Sequence, residues 1–139
     1  MKKQGDSLLI ATAVITPSSS LIKTRVSVAS ADGDSHVDDA IALWDTGSEL
    51  CGISKSLAER LGLKPVGKKP ISYGDGEIVE ENVYVVTLTF PPSGIRAMPY
   101  AVEFGSNDED FIIGMNLLVN GTMLIEPAED GCVRFSFTL

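Results

Sequence analysis

One short run in this chain of 139 residues has the residue types and spacing of acid–base chemistry: Leu43-Trp44-Asp45-Thr46-Gly47-Ser48. An apolar strand running into Asp-Thr-Gly delivers a carboxylate from a dry, rigid support into a tight turn. There Gly47 lets the backbone come close and Thr46 offers a hydroxyl. A plainer reading fits the same run, an Asx-type turn at a strand end with Asp45 capping backbone N–H groups. The tripeptide by itself leaves both open. Other chemistries are removed quickly. The single histidine, His36, lies in Asp32-Gly33-Asp34-Ser35-His36-Val37-Asp38-Asp39, so no two-histidine mechanism and no His-Glu-x-x-His zinc site is available. That acidic stretch is not an EF-hand loop either, because its sixth position needs glycine for the sharp turn and holds Val37. It reads as a solvated hairpin tip. The glycines form no Walker A loop and no Gly-x-Gly-x-x-Gly between strand and helix, so nucleotide binding has no support. No metal and no cofactor is expected.

The elements that must hold the Asp45 turn are mostly strands. Residues 8–15 form a β-branched run that stops at Pro17, residues 22–28 alternate, and residues 40–44 are a continuous apolar run of buried-strand type. Residues 82–90 place Val83, Val85, Thr87 and Thr89 on one face and Tyr84, Val86, Leu88 and Phe90 on the other, ending at Pro91-Pro92. Residues 101–104, 111–113, 122–125 and 132–137 complete the set. Turn-rich pieces separate them: Gly105-Ser106-Asn107-Asp108, Asn120-Gly121 and Glu129-Asp130-Gly131. One helix is clear. Ser56-Leu57-Ala58-Glu59 fits the capping box, in which the Ser and Glu side chains each satisfy a free N–H, and Gly62 supplies the stop. A second helical turn is predicted at Met115-Asn116-Leu117-Leu118. The fold class is therefore all-β: one domain over residues 1–139, a small closed barrel or sandwich with one or two short helices.

Composition bounds the partners of such a domain. With 44% hydrophobic and 22% charged residues the chain can build a core and has no signature of disorder. Eleven Lys+Arg against 19 Asp+Glu leave a formal charge of −8. That sign is opposite to what nucleic acids and anionic membranes attract, so neither is an expected partner. Cys51 and Cys132 are too few and too far apart for a disulfide framework or a zinc knuckle, and read as buried or half-buried free thiols. No apolar run approaches the roughly 18–20 residues of a membrane span. Met1-Lys2-Lys3 superficially resembles a signal-peptide start. Gln4-Gly5-Asp6-Ser7 separates those charges from the apolar run, however, which leads into Pro17-Ser18-Ser19-Ser20 without a small-residue cleavage pattern. A first β-strand is the better reading, and a cytoplasmic location the expectation.

Taken together, residues 41–48 followed by Ile53-Ser54-Lys55-Ser56-Leu57-Ala58-Glu59-Arg60-Leu61-Gly62-Leu63 resemble the start of the retroviral-type (retropepsin-like) aspartic proteases, especially their cellular and bacterial relatives. Further along, those proteins have a pair of bulky aliphatics, a Gly and a short helix. Phe111-Ile112-Ile113-Gly114-Met115-Asn116-Leu117-Leu118 fills that place. In the family the aliphatic strand crosses close to the catalytic turn, and the Gly permits the contact. As an ordinary core strand and bend, the segment supports the fold more than the chemistry. Between the two blocks the family carries a flap, a β-hairpin that closes over a bound peptide. Ile71-Ser72-Tyr73-Gly74-Asp75-Gly76-Glu77-Ile78-Val79 lies in that interval, with Asp75-Gly76 as a hairpin-turn signal but without the viral run of glycines and aliphatics. The match covers residues 8–137 in order of elements.

The resemblance implies peptide hydrolysis by two carboxylates that share one proton. The ionised one draws a proton from water while the protonated one polarises the scissile carbonyl. Two like charges about 3 Å apart repel by roughly 5 kcal/mol at an effective dielectric of about 20, which pushes the two ionisations several pH units apart. This chain holds one Asp-Thr-Gly, hence half a site, and so the resemblance implies a two-fold homodimer acting on a peptide or protein substrate. On it, Asp45 is the catalytic carboxylate, Thr46 bonds across the dimer to keep the turns in register, and Gly47 allows the carboxylates to approach. Ser48 donates to the outer oxygen of Asp45 and, together with Tyr73, Gly74, Asp75 and Gly76 of the flap, binds substrate. Residues 122–125 and 132–137 are candidates for the dimer sheet. Two rival functions stand beside an endopeptidase: a catalytically silent retropepsin-like module that binds peptides or only dimerises, and an unrelated small barrel with Asp45 in a structural turn.

Overall fold

Strand pairing in this chain closes on itself. The structure, a computed structural model, describes residues 8–105 and 108–139; the basic start Met1-Lys2-Lys3 and turn positions 106 and 107 lie outside the described residues. Among the described residues the order is β1 (Leu9–Ile15), β2 (Lys23–Ser30), β3 (His36–Trp44), β4 (Cys51–Ser54), α1 (Lys55–Arg60), β5 (Gly67–Ser72), β6 (Ile78–Phe90), β7 (Ile95–Ala97), β8 (Tyr100–Phe104), β9 (Phe111–Ile113), α2 (Met115–Leu118), β10 (Thr122–Pro127) and β11 (Val133–Thr138). A 3-10 turn at Glu129–Gly131 precedes β11. The ring runs β2, β3, β9, β4, β8, β6 and back to β2, the last step joining Ser27↔Thr89 through Ser30↔Val86. Closure removes free sheet edges from the ring. β5 and β7 hang from the two ends of β6. The expected closed all-β barrel is present, with a separate three-stranded sheet, β1-β11-β10, packed against it.

The core explains how β3 is held. Ala40, Ala42 and Trp44 alternate inward along β3, facing Val86, Leu88 and Phe90 of β6 and Phe111 and Ile113 of β9 in one buried cluster. Trp44 lies where the barrel meets the second sheet, with ring centroids 5.9 Å from Phe90, 4.8 Å from Phe135 and 5.4 Å from Phe137. Of the run 32–39, expected as a hairpin tip, only residues 32–35 form the tip; His36 already opens β3 and residues 36–39 belong to the strand. At the tip the Asp32 carboxylate accepts from the Ser30 hydroxyl at 2.6 Å and from Asp34 N–H at 3.0 Å, bonds that hold its pKa below the usual carboxylate value.

Several local expectations are corrected. The N-cap of α1 is Ser54, whose hydroxyl accepts from Leu57 N–H at 3.1 Å, so Ser56 and Glu59 form no capping box. The helix starts where buried β4 ends, two residues earlier than the local pattern suggests. Its stop at Gly62 holds: at φ +63°, Gly62 N–H bonds Glu59 O and Leu63 N–H bonds Ala58 O, the Schellman arrangement. β5 escapes the sequence pattern because Gly67, Lys68, Lys69 and Pro70 are poor strand formers; as an edge strand it is held by its ladder to β6, and an edge tolerates proline. β6 begins at Ile78 instead of residue 82, because its exposed first residues carry no burial alternation and are strand through their ladder to β5.

Candidate active site

β3 carries Asp45 to the end of the sheet and does not release it there. Trp44 N–H bonds Ile22 O at 2.9 Å, and Asp45 N–H bonds Ile113 O of β9 at 3.0 Å. Asp45 is half-buried, while Thr46 and Gly47 are exposed. Gly47 N–H donates to Asp45 Oδ1 at 2.8 Å, and Ser48 N–H reaches Asp45 O at 3.3 Å. The Asx-type turn and an orienting device for a reactive carboxylate are thus the same geometry, with one oxygen engaged. A Cβ on Gly47 would sit 3.1 Å from that oxygen, so a larger residue there would crowd the carboxylate. The Ser48 hydroxyl donates to Leu50 O at 2.7 Å instead of to Asp45. A hydroxyl two residues from a free carbonyl closes a local turn more readily than it reaches back over the loop.

The loop after the turn is strapped to the second block. Met115 N–H bonds Ser48 O at 2.8 Å and Asn116 N–H bonds Glu49 O at 3.0 Å. The Asn116 side chain accepts from Cys51 N–H at 2.8 Å and donates to Tyr100 O at 3.1 Å, joining α2, β4 and β8. In the sequence Asn116 reads only as one residue of a helical turn. The signal available there was an asparagine, a poor helix former, directly after Gly114-Met115. Gly114 N–H points at Cys51 Sγ at 3.4 Å, and burial pushes that thiol up to about 11. A Cβ on Gly114 would overlap the Leu50 carbonyl oxygen and lie 2.9 Å from Cys51 N, so the strand crosses the loop as closely as backbones can. Gly114→Ala is accordingly expected to force the two segments apart at a cost of about 1–3 kcal/mol, read as a lowered urea midpoint. An unchanged midpoint would mean that the crossing has slack.

The hairpin of β5 and β6 stands over this region. Its last pair is Ser72↔Ile78, so residues 73–77 form the tip. Asp75-Gly76 does not make a two-residue turn. Gly74 and Gly76 both take positive φ, +85° and +87°, and Asp75 Oδ1 accepts from Glu77 N–H at 2.9 Å, giving a longer loop. A cavity of about 520 Å³ lies between the hairpin and the Asp45 loop, within the ~300–1,000 Å³ usual for ligand sites. Gly47, Ser48 and Tyr73 line it. Asp45 and Thr46 stand beside it, and Gly74, Asp75 and Gly76 lie at the tip beyond its wall. The Tyr73 hydroxyl is shifted upward by desolvation, then by the charge and hydrogen bond of Glu81 and the charge of Glu103.

Tyr84 supports the cavity from behind. It is 5% exposed, and its hydroxyl donates to Glu103 Oε1 at 2.8 Å. Burial, then the bond to Glu103 and its charge, push Tyr84 from 10.0 to about 12. Because the folded value is raised, the stabilisation is whole below pH 10.0 and is lost as pH climbs through about 12. In an alkaline titration followed by phenolate absorbance, Tyr84→Phe should remove the step near pH 12; its survival would assign that step to another tyrosine.

A family model described as aspartyl protease matches residues 28–117, from β2 through the Asp45 turn, the hairpin and Gly114 into α2. Among solved structures, the chain is similar to a retropepsin-like aspartic protease from Rickettsia conorii, with a TM-score of 0.57 at 12% identity over 95% of this chain and 94% of that one. It is also similar to the retroviral protease-like domain of Ddi1 from Leishmania major, with a TM-score of 0.45 at 18% identity over 80% and 91% of the two chains. No curated protein matches the sequence. At 12% identity the Rickettsia likeness speaks for the fold, and the family model speaks for descent. A sequence match over more than half of the chain, laid on a retropepsin-like fold, places this protein in the aspartyl protease family.

Proposed function

We propose that two copies of this chain associate about a two-fold axis into an aspartic endopeptidase, with the paired Asp45 carboxylates as its catalytic dyad. One observation carries this reading: a single Asp-Thr-Gly turn, tied to β9 and opening beside a cavity beneath a hairpin. The ionised Asp45 removes a proton from water as the oxygen attacks the scissile carbonyl, and the protonated one donates its proton to the carbonyl oxygen. Collapse of the tetrahedral species returns a proton to the departing nitrogen and breaks the C–N bond. Thr46 and Gly47, exposed in one chain, are the residues a second turn meets. β10 supports the assembly: it is an edge strand of the small sheet, with Leu124 48% and Ile125 55% exposed, and unpaired apolar edges are templates for pairing.

Hydrolysis is expected to depend on association. On dilution, specific activity should fall in parallel with the dimer fraction measured by sedimentation. Full activity in a monomer would overturn the reading. Each chain carries −8, so repulsion between copies weakens as carboxylates protonate, and the dimer is expected to tighten from about pH 7 to about pH 5.

A further inference from the structure

Both outer strands of the small sheet have an unpaired edge among the described residues, and the two edges differ. The edge of β1 is obstructed. A bulge interrupts its ladder between Leu9 and Ala11, the Ser93 hydroxyl donates to Ile10 O at 3.1 Å, and Pro92 and Ser93 wall a small cavity with residues 9–12. Bulges and covering turns keep edges from pairing. The ladder of β10 with β11 runs without a shift from Thr122 to Pro127.

Two contacts fix which backbone groups of β10 face outward. Ala128 N–H donates to Cys132 O at 2.9 Å, so by the alternation of an antiparallel ladder Glu126–Arg134, Leu124–Ser136 and Thr122–Thr138 are hydrogen-bonded pairs. On the other side of β11, Leu8 and Leu139 exchange N–H···O bonds, which turns Leu139 toward β1 and Thr138 toward β10, the same phase. Met123, Ile125 and Pro127 therefore aim their backbone groups away from β11, and the proline sits where the chain needs no donor.

Such an edge is complementary to itself. Turned about a two-fold axis at Leu124, it sets Met123 of one copy against Ile125 of the other, and each N–H meets a C=O. An axis at Ile125 sets Met123 against Pro127, which has no N–H, and an axis at Met123 sets Ile125 against Gly121, outside the strand. An axis between residues opposes outward groups to inward ones. Charge agrees with the first register: Glu126, the strand's charged residue, lies 4.0 Å from Arg134 of its own chain and falls opposite the neutral Thr122 of the second copy. Leu124 and Ile125, exposed in one chain, then meet Leu124 and Met123 of the other.

We propose that β10 pairs antiparallel with β10 of a second copy in this one register, Leu124 facing Leu124 across the axis, so that the two small sheets become one continuous sheet. The inference rests on the two-fold reading above and names the surface that assembles it.

The test is disulfide trapping in a Cys132→Ser background. In this register the two Leu124 Cα atoms are about 4.5 Å apart, within disulfide reach, whereas the two copies of residue 123, or of 125, are more than about 7 Å apart. Leu124→Cys should become a covalent dimer under mild oxidation. Met123→Cys and Ile125→Cys should each stay uncrosslinked alone and crosslink when mixed. Ile125→Pro should raise the dimer Kd, measured by sedimentation, at least about tenfold, because it removes one outward donor from each copy. A dimer that Leu124→Cys does not trap, trapping by Met123→Cys or Ile125→Cys alone, or an unchanged Kd in Ile125→Pro overturns the proposal. Peptide cleavage assayed in parallel separates the pairing from the chemistry. A dimer trapped at Leu124 that cleaves nothing, before or after oxidation, leaves the pairing standing and sinks the endopeptidase reading. Cleavage by a dimer that is not trapped at Leu124 does the reverse, and a protein monomeric at every concentration overturns both.

Discussion

Asp45→Asn is expected to lower kcat/KM for peptide cleavage by about 10⁴-fold or more, with the fold and the dimer intact. The amide has the shape of the carboxylic acid, and its oxygen still accepts the Gly47 N–H that holds the turn. What it lacks is a titrating proton. In a two-fold dimer the substitution strikes both members of the dyad at once, so neither the group that takes the water proton nor the one that protonates the carbonyl survives. Subunit exchange sharpens the test. If a mixed dimer is inactive, the activity of wild type mixed with excess Asp45→Asn falls as the square of the wild-type fraction, whereas independent sites give a linear fall. Undiminished turnover in Asp45→Asn would return the residue to a purely structural turn. Equal peptide binding by both proteins with no turnover in either would identify a silent binding module.

The second large effect concerns the residue before it. Trp44→Ala is expected to cost about 3–5 kcal/mol of stability, a large share of the ~5–15 kcal/mol typical of a domain. Trp44 is 5% exposed, packs on Phe90 of the barrel and on Phe135 and Phe137 of the small sheet, and donates its indole N–H to Thr24 Oγ1 at 2.9 Å. Truncation opens a cavity between the two sheets and strands the Thr24 hydroxyl without that donor. Urea denaturation measures the loss. Trp44→Phe, which keeps an aromatic ring but not the N–H, should fall between wild type and alanine. A cost below about 1 kcal/mol for Trp44→Ala would show that the small sheet is held by something other than this ring.

What the sequence made legible follows from where strong patterns coincide with strong constraints. The buried run ending in Trp44, the Asp45 turn, the glycine at 114 and the Gly62 stop each carry a local signature whose physics does not need the rest of the chain. β4 is only Cys51–Ser54, too short for a period, and it is a strand because β8 and β9 flank it. The cap of α1 moved from Ser56 to Ser54 because the N–H of Ser54 is tied to Asp110 O at 2.9 Å, a contact invisible from nearby residues. Ser48 and Asn116 show the same limit from opposite sides. The hydroxyl of Ser48 found a partner two residues away and so left Asp45. The amide of Asn116 found Cys51 across 65 positions and so took hold of the loop that follows Asp45. The Asp-Gly pair in the hairpin was right about a turn and wrong about its length, because two glycines in the left-handed region share the reversal.

The small sheet imposes an order on folding during synthesis. β1 pairs with β11 from Leu9↔Thr138 to Ile15↔Val133, and Leu8 and Leu139 exchange backbone hydrogen bonds at 3.1 and 2.9 Å. A ribosome delivers β1 first, and contacts of such long sequence separation form slowly. Until β11 has been made, β1 has no ladder on that side and Trp44 lacks the two phenylalanines that cover it. The strand bearing Asp45 is made well before β11, which brings its aromatic support. The turn at Asp45 therefore becomes rigid only once β11 has joined the small sheet.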